Sequence, residues 1–174
     1  MLTLHTKVDQ VEKPNDELVL PFDLRQKSRF RAQMVSGEEV AVLTVRGTVL
    51  RGGECLKGDD GRVVRITAAP EATYRVECAT PRDLLRCAFH LGNRHTQAQV
   101  GDEGGTGFLR IRKDTVLKEM LEGLGASVTE EQAPFEPEAG AYGGGHPHHS
   151  DDHHSGHPLA PIPLRQKIHR PFEK

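Results

Sequence analysis

The last 32 residues restrict the fold most, because they cannot supply a hydrophobic core. Residues 143–174 contain five prolines, four glycines and few bulky apolar side chains. Ordering a backbone costs roughly 1–2 kcal/mol per residue, and a segment with so little apolar surface cannot offset that cost. We therefore predict that residues 143–174 form a disordered tail, and that any folded body lies within the first 142 residues.

Residues 1–72 have the pattern of a small all-β domain. Four β-branched or alternating runs are separated by turn signals such as Ser36-Gly37 and Asp59-Asp60-Gly61. The runs are LVLPF (18–22), RFRAQMV (29–35), EVAVLTV (39–45) and RVVRITAA (62–69). Strands at this spacing predict a sheet or barrel of short antiparallel strands, with a junction near Pro70.

Residues 73–142 predict a second domain that mixes strands and helices. Thr80, Pro81 and Asp83 form a helix start, and Asp114 is placed to cap a second helix. The first helix is expected to end at Gly92 and to bury one apolar face, made of Leu84, Leu85, Ala88 and Leu91. Strands are expected near residues 74–78, 97–100, 108–112 and 126–131. The order β-α-β-β-α-β is the ferredoxin-like arrangement, so the fold class is α+β.

Composition excludes several classes of function. The net charge is only -2 and there is no Trp, which argues against a nucleic-acid or membrane surface as partner. The three cysteines, Cys55, Cys78 and Cys87, are odd in number and not spaced as CxxC, so a disulfide framework is not expected. We see no signal peptide and no apolar run of transmembrane length. The expected compartment is the cytoplasm, with the cysteines as small core residues.

Histidines are concentrated in the tail. Six of the ten fall within residues 146–157, beside Asp151 and Asp152, and a seventh follows near the end of the chain. Neutral imidazole binds borderline divalent metals, and the affinity of such ligands rises towards nickel and copper. The tail therefore predicts metal binding and leaves nickel, zinc and copper open; an inert polar linker is the competing interpretation. The candidate ligands are His146, His148, His149, His153, His154, His157 and His169.

A second histidine motif, HLGNRH, places His90 and His95 near the end of the first helix of the second domain. Residues five apart on a helix point about 140° away from each other, and His95 is expected in the loop after Gly92. A single loop imidazole is a poor metal site, but a second copy across a two-fold axis would bring the same residue in twice. The alternative is that both are ordinary histidines without a ligand role.

Three motifs together resemble one family. HLGNRH (90–95), VLKEMLEGLG (116–125) and PFEPEAGAYGGGH (134–146) are similar, in order and spacing, to the UreE urease accessory proteins, which are nickel metallochaperones. The resemblance implies a homodimer whose first domain is like the peptide-binding domain of Hsp40-type chaperones and whose second is ferredoxin-like. It also implies nickel delivery to the urease apoprotein through a complex with the urease accessory GTPase.

The resemblance assigns the metal site as well. His95 matches the histidine that each subunit contributes at the dimer interface, and His90 matches an accessory histidine. Some members carry extra histidines where this chain has Lys113 and Thr115. Further ligands are therefore expected from the tail, and His169 is a candidate to complete the interfacial site.

Three other functions are weighed against a carrier. An enzyme is disfavoured because the sequence has no HExxH and no GxSxG, and because Glu136 and Glu138, lying between prolines, have the pattern of an extended, solvated linker. A nickel store would use the same ligands as a carrier and stays open. A peptide-binding chaperone based on the first domain is the third alternative.

Overall fold

The computed structural model describes residues 1–8 and 11–139. The prediction of a disordered tail over residues 143–174 lies outside the described residues. The first half contains six strands and a short helix: β1 Leu2–Val8, β2 Asp16–Leu20, α1 Phe22–Arg25, β3 Arg29–Gln33, β4 Glu39–Leu43, β5 Cys55–Gly58 and β6 Val63–Ala68. The second half contains β7 Pro70–Glu77, α2 Pro81–Asn93, β8 Ala98–Glu103, β9 Thr106–Arg112, α3 Thr115–Gly123 and β10 Ser127–Pro134.

The first six strands form one curved sheet in the order β2-β6-β5-β1-β4-β3. Its two ends approach each other, because the Val35 N–H donates a hydrogen bond to the Glu17 carbonyl at 2.9 Å. Apolar side chains of the sheet enclose one core, which includes Leu4, Leu18, Val40, Leu56 and Ile66.

The prediction of antiparallel strands is wrong for two pairs in this sheet. β1 pairs in parallel with β4, and β2 pairs in parallel with β6. Parallel partners need a long crossover between them, and more than twenty residues separate the strands of each pair. Turn signals report only on neighbours joined by a hairpin, such as β3 and β4, so these pairings leave no local signal in the sequence.

The second sheet has the order β10-β7-β9-β8, and all its pairs are antiparallel. Tyr74, Val76 and Ile111 point to the face that both helices cover. Cys87 and Leu91 of α2 and Leu121 of α3 pack into the same core. The helices therefore lie on one side of this sheet.

The predicted helix starts are confirmed. The Thr80 hydroxyl accepts a hydrogen bond from the Asp83 N–H at 3.2 Å, and the Asp83 carboxylate accepts one from that hydroxyl at 2.7 Å. This bond and the nearby Arg86 lower the pKa of Asp83. Asp114 caps α3 by accepting from the Leu117 N–H at 3.0 Å. Each cap is worth about 1 kcal/mol.

The last residue of β10 and the four residues that follow it, 134–138, are called here the strap. Its Phe135 side chain is fully buried and meets the Phe22 ring edge to face, with ring centres 5.5 Å apart. The Glu136 carboxylate accepts hydrogen bonds from Arg25 at 2.8 Å and from the Gly52 N–H at 2.8 Å. The prediction of a solvated linker is therefore wrong for Glu136, whereas Glu138 is exposed.

Arg25 is the centre of the contacts that hold the strap. Its side chain has no solvent exposure, and besides Glu136 it donates to the carbonyls of Leu20 at 3.1 Å, Leu50 at 3.1 Å and Phe135 at 2.6 Å. A buried cation needs partners of this kind to offset its desolvation. The strap thus attaches the second sheet to the first, and the buried Arg25 is the main contact between them.

None of the helices in the described residues is both long and apolar enough to span a bilayer.

Candidate metal centre

His95 lies directly after α2, in a conformation that side chains rarely adopt. The helix runs to Asn93 and is followed by Arg94, and His95 has a φ of +53°. The His95 N–H donates to the Gly92 carbonyl at 2.9 Å, and the Thr96 N–H donates to the Leu91 carbonyl at 3.1 Å. These two bonds form a Schellman motif, whose left-handed position is usually occupied by glycine.

The expected helix end at Gly92 is wrong by one residue, and the residue that closes the helix is not a glycine. Gly92 is still helical, and His95 takes the left-handed position instead. That conformation costs an L-residue roughly 1–2 kcal/mol. Strain of this kind at an exposed side chain indicates a functional reason for the residue.

His90 lies in the last turn of α2 and has a different environment. It is half-buried, and its ring packs edge to face against Phe89 with centres 5.6 Å apart. Its carbonyl accepts a hydrogen bond from the Arg94 guanidinium at 3.2 Å. Neither contact uses the imidazole nitrogens, so the ligand role of His90 stays a prediction.

His95 borders two shallow depressions. The first is mainly apolar, lined by Ala88, Leu91 and Val100, and the Glu138 of the strap also reaches it. The second is polar and includes Arg94, Arg112, Lys113 and Asp114. Arg112 pairs with Asp23 at 2.7 Å and Lys113 pairs with Glu130 at 2.5 Å.

Lys113 and Thr115 add no metal ligand to this surface. The hydrogen bond that the Lys113 ammonium donates to Glu130 raises the pKa of Lys113, so this side chain keeps its positive charge and repels a cation. Within residues 1–8 and 11–139, no three His, Cys, Asp or Glu side chains come close enough together to hold a metal ion. The described part of a single chain therefore presents His95 without a complete ligand set.

An apolar patch lies on the outer side of α2 and on β8. Leu85, Phe89 and Val100 are 72 %, 65 % and 59 % exposed. Leu85 and Phe89 are four residues apart and so share one helix face. Leu85 had been expected to point inwards, and this part of the prediction is wrong. Large apolar side chains grouped on a surface are typical of an interface between proteins.

None of the three cysteines forms a disulfide, and two of them are fully buried. Cys55 and Cys87 have no exposure, and the Cys78 sulfur lies 3.8 Å from that of Cys87. Burial, followed by the neighbouring Cys87 thiol, raises the pKa of Cys78 to about 11. A thiol that keeps its proton near neutral pH is a poor metal ligand, which agrees with the predicted role of core residues.

The seven tail histidines, predicted as further ligands, lie outside the described residues. This applies to His146, His148, His149, His153, His154, His157 and His169.

Comparison with known proteins gives matches over most of the chain. The model of the UreE urease accessory protein N-terminal domain matches residues 3–69, and that of the C-terminal domain matches residues 71–159. A urease accessory protein UreE from Janthinobacterium sp. (strain Marseille) is 71 % identical over 174 residues, covering 100 % of this chain and 99 % of the relative.

Two further relatives carry the same name. The protein from Nitrosospira multiformis is 63 % identical over 176 residues, covering 99 % of this chain and 98 % of the relative. The protein from Pseudomonas fluorescens is 46 % identical over 171 residues, covering 98 % and 97 %. These matches define an accessory protein of urease maturation and not an enzyme. The chain belongs to the UreE family of urease accessory proteins.

Proposed function

We propose that the chain is a nickel carrier that works as a homodimer and delivers nickel for assembly of the urease active site. The observation that carries the proposal is His95, an exposed imidazole held at a strained backbone position beside an apolar depression. The urease accessory family of the chain supports nickel as the cargo, and zinc or copper are the other metals that such ligands accept.

A homodimer is supported by the apolar patch next to His95. Leu85 and Phe89 on α2 and Val100 on β8 expose apolar surface that a second copy could cover. A two-fold interface on this surface would bring two copies of His95 towards each other, since it uses the same patch of both subunits. In this proposal His90 stays a packing residue, and the tail histidines, His169 among them, supply further ligands.

The proposed division of labour follows the domains predicted from the sequence. Residues 1–72 are the β-rich domain with a peptide-binding character, residues 73–142 are the ferredoxin-like domain that carries His95, and residues 143–174 are the histidine-rich tail. The strand order β10-β7-β9-β8, with both helices on one face, supports the ferredoxin-like assignment.

The proposed partners are the urease accessory GTPase and the urease apoprotein complex. The proposed compartment is the cytoplasm, and the three free cysteines of the described residues support it, because disulfides are rare there.

Nickel storage without delivery is the second candidate, since a store would use the same ligands. A store needs only capacity, which the seven tail histidines could supply alone. The strained imidazole on the folded body favours the carrier, because a store gains nothing from a costly residue at that position.

A nickel titration with the protein mass measured alongside tests the proposed site. The intact chain should bind one tight nickel ion per dimer in addition to weaker tail-bound metal, and His95→Ala should lose the tight ion. One tight ion per chain, or a tight site that survives in His95→Ala, would move the site away from a shared His95.

A further inference from the structure

The strap presents a second acidic side chain, Glu138, beside His95. We infer that Glu138 is a metal ligand, so that each of two copies offers the cargo one imidazole and one carboxylate. This inference rests on the proposed function. It assigns to the metal site a residue that the sequence pattern placed in a solvated linker.

Glu138 is held in place by bonds on both sides of the strap. Its own N–H donates to the Ala98 carbonyl at 2.9 Å. The preceding Pro137 carbonyl accepts from the Arg51 guanidinium at 2.7 Å, and the Glu136 N–H donates to the Gln99 side chain at 2.9 Å. An exposed glutamate in a loop is usually free to move, whereas the backbone of this one is fixed against β8 at residues 98 and 99.

That anchoring point lies close to His95 along the chain. Ala98 comes three residues after His95, which limits the distance between their Cα atoms to about 11 Å at full extension. Glu138 and His95 line the same depression, together with Gly92 and Ala98. The two side chains therefore share one concave surface, although they are 43 residues apart in sequence.

The cationic side chains that bind the strap do not pair with Glu138, so its carboxylate is available to a metal ion. Arg25 and Arg51 both pair with Glu136, and among the described residues no Lys, Arg or His nitrogen lies within 4.0 Å of the Glu138 carboxylate. The depression around it is largely apolar, with Leu91 and Val100 in its wall. A carboxylate without a cation partner, in the same depression as an imidazole, favours a divalent metal ion.

The resulting ligand set suits nickel. Two imidazoles and two carboxylates, one of each from either copy, give four nitrogen and oxygen donors. Tetragonal sites made of such donors are typical of nickel(II) and copper(II), whereas structural zinc sites are usually tetrahedral and rich in thiolate. The carboxylates also offset the charge of the ion, which two neutral imidazoles alone cannot do.

The test compares full-length variants by nickel competition against a chelator of known affinity. Glu138→Gln keeps the size of the side chain and removes its charge, and Glu138→Asp keeps the charge with a shorter reach. We expect Glu138→Gln to weaken the tightest nickel site at least about tenfold, in the range known for residues that support metal ligands, with Glu138→Asp intermediate. Glu119→Gln, an exposed glutamate on α3 away from this depression, is the matched control and should leave the affinity unchanged.

Two further measurements separate the possible outcomes. The unfolding temperature of metal-free Glu138→Gln should equal that of the parent, because only an exposed carboxylate is altered. A loss of less than tenfold in Glu138→Gln, with the tight site abolished in His95→Gly, would overturn the role of Glu138 and leave the proposed function standing. A tight site retained in both Glu138→Gln and His95→Gly would overturn the metal centre itself.

Discussion

Replacing His95 with glycine should make the folded protein more stable while removing its tight metal site. The left-handed conformation at φ +53° costs an L-residue roughly 1–2 kcal/mol, and glycine adopts it freely. Part of this gain is lost, because a glycine loses more backbone entropy on folding, at a free-energy cost of about 0.5–1 kcal/mol. The side chain of His95 is exposed, so no packing is sacrificed, and the net gain is about 0.5–1 kcal/mol.

The assay is denaturation of the metal-free protein at one fixed concentration, since association alters apparent stability. A gain of this size should raise Tm by ~1–4 °C for a chain of this length. His95→Ala is the matched control, because it removes the imidazole but keeps the strained Cβ, and its stability should stay close to the parent. A glycine variant that is less stable than the alanine variant would refute the reasoning that strain is maintained here for function.

Three further results are expected. Lowering the pH from about 7.5 to about 5.5 should release most bound nickel, because protons compete for imidazole groups with an ordinary pKa of ~6.5; unchanged binding by equilibrium dialysis would exclude imidazole as the main ligand. Truncation after Tyr142 should leave Tm nearly unchanged and reduce nickel capacity to roughly the interfacial site, and a large fall in Tm would show that the tail packs on the body. Glu136→Gln should lower the free energy of unfolding by about 1–3 kcal/mol. The loss should be smaller than for a fully buried ion pair, because the Glu136 side chain is 26 % exposed although Arg25 is buried. Glu38→Gln, which breaks an exposed pair with Arg62, is the control and should lower the free energy of unfolding far less.

Local features of the fold could be predicted from the sequence. The Thr80 and Asp114 caps act on backbone groups within three residues, so their chemistry is visible in a short window. The hairpin between β8 and β9 follows from Gly104 and Gly105, which both take positive φ values. These elements depend on neighbours in the chain and on little else.

Features set by distant contacts could not be predicted. The burial of Arg25 depends on carbonyls at Leu50 and Phe135, which are 25 and 110 residues away. The strap was therefore predicted to be solvated, since two prolines and two glutamates give no sign of a partner in the other sheet. The parallel pairing of β1 with β4 has the same cause, because a long crossover leaves no turn signal.

The candidate site also combines local features that could be predicted with features set by distant contacts that could not. HLGNRH predicts His95 as a ligand from the sequence. The preference for glycine placed the helix end at Gly92, so the strained conformation of the histidine itself was missed. The exposure of Leu85 was missed because two apolar residues in a row fit either face of an amphipathic helix. Glu138 joined the candidate site only through the bond to Ala98, which sequence spacing does not reveal.

Urease activity in cells tests the central claim most directly. Cells lacking the protein should be compared with cells that express the parent chain or His95→Gly, at limiting and at moderate nickel, with equal amounts of each protein confirmed by immunoblotting. Because His95→Gly is expected to be at least as stable as the parent, loss of activity cannot be assigned to unfolding. Nickel delivery through His95 predicts that the variant gives activity close to that of cells without the protein when nickel is limiting. Equal urease activity in all three kinds of cell at every nickel level would contradict delivery and favour storage.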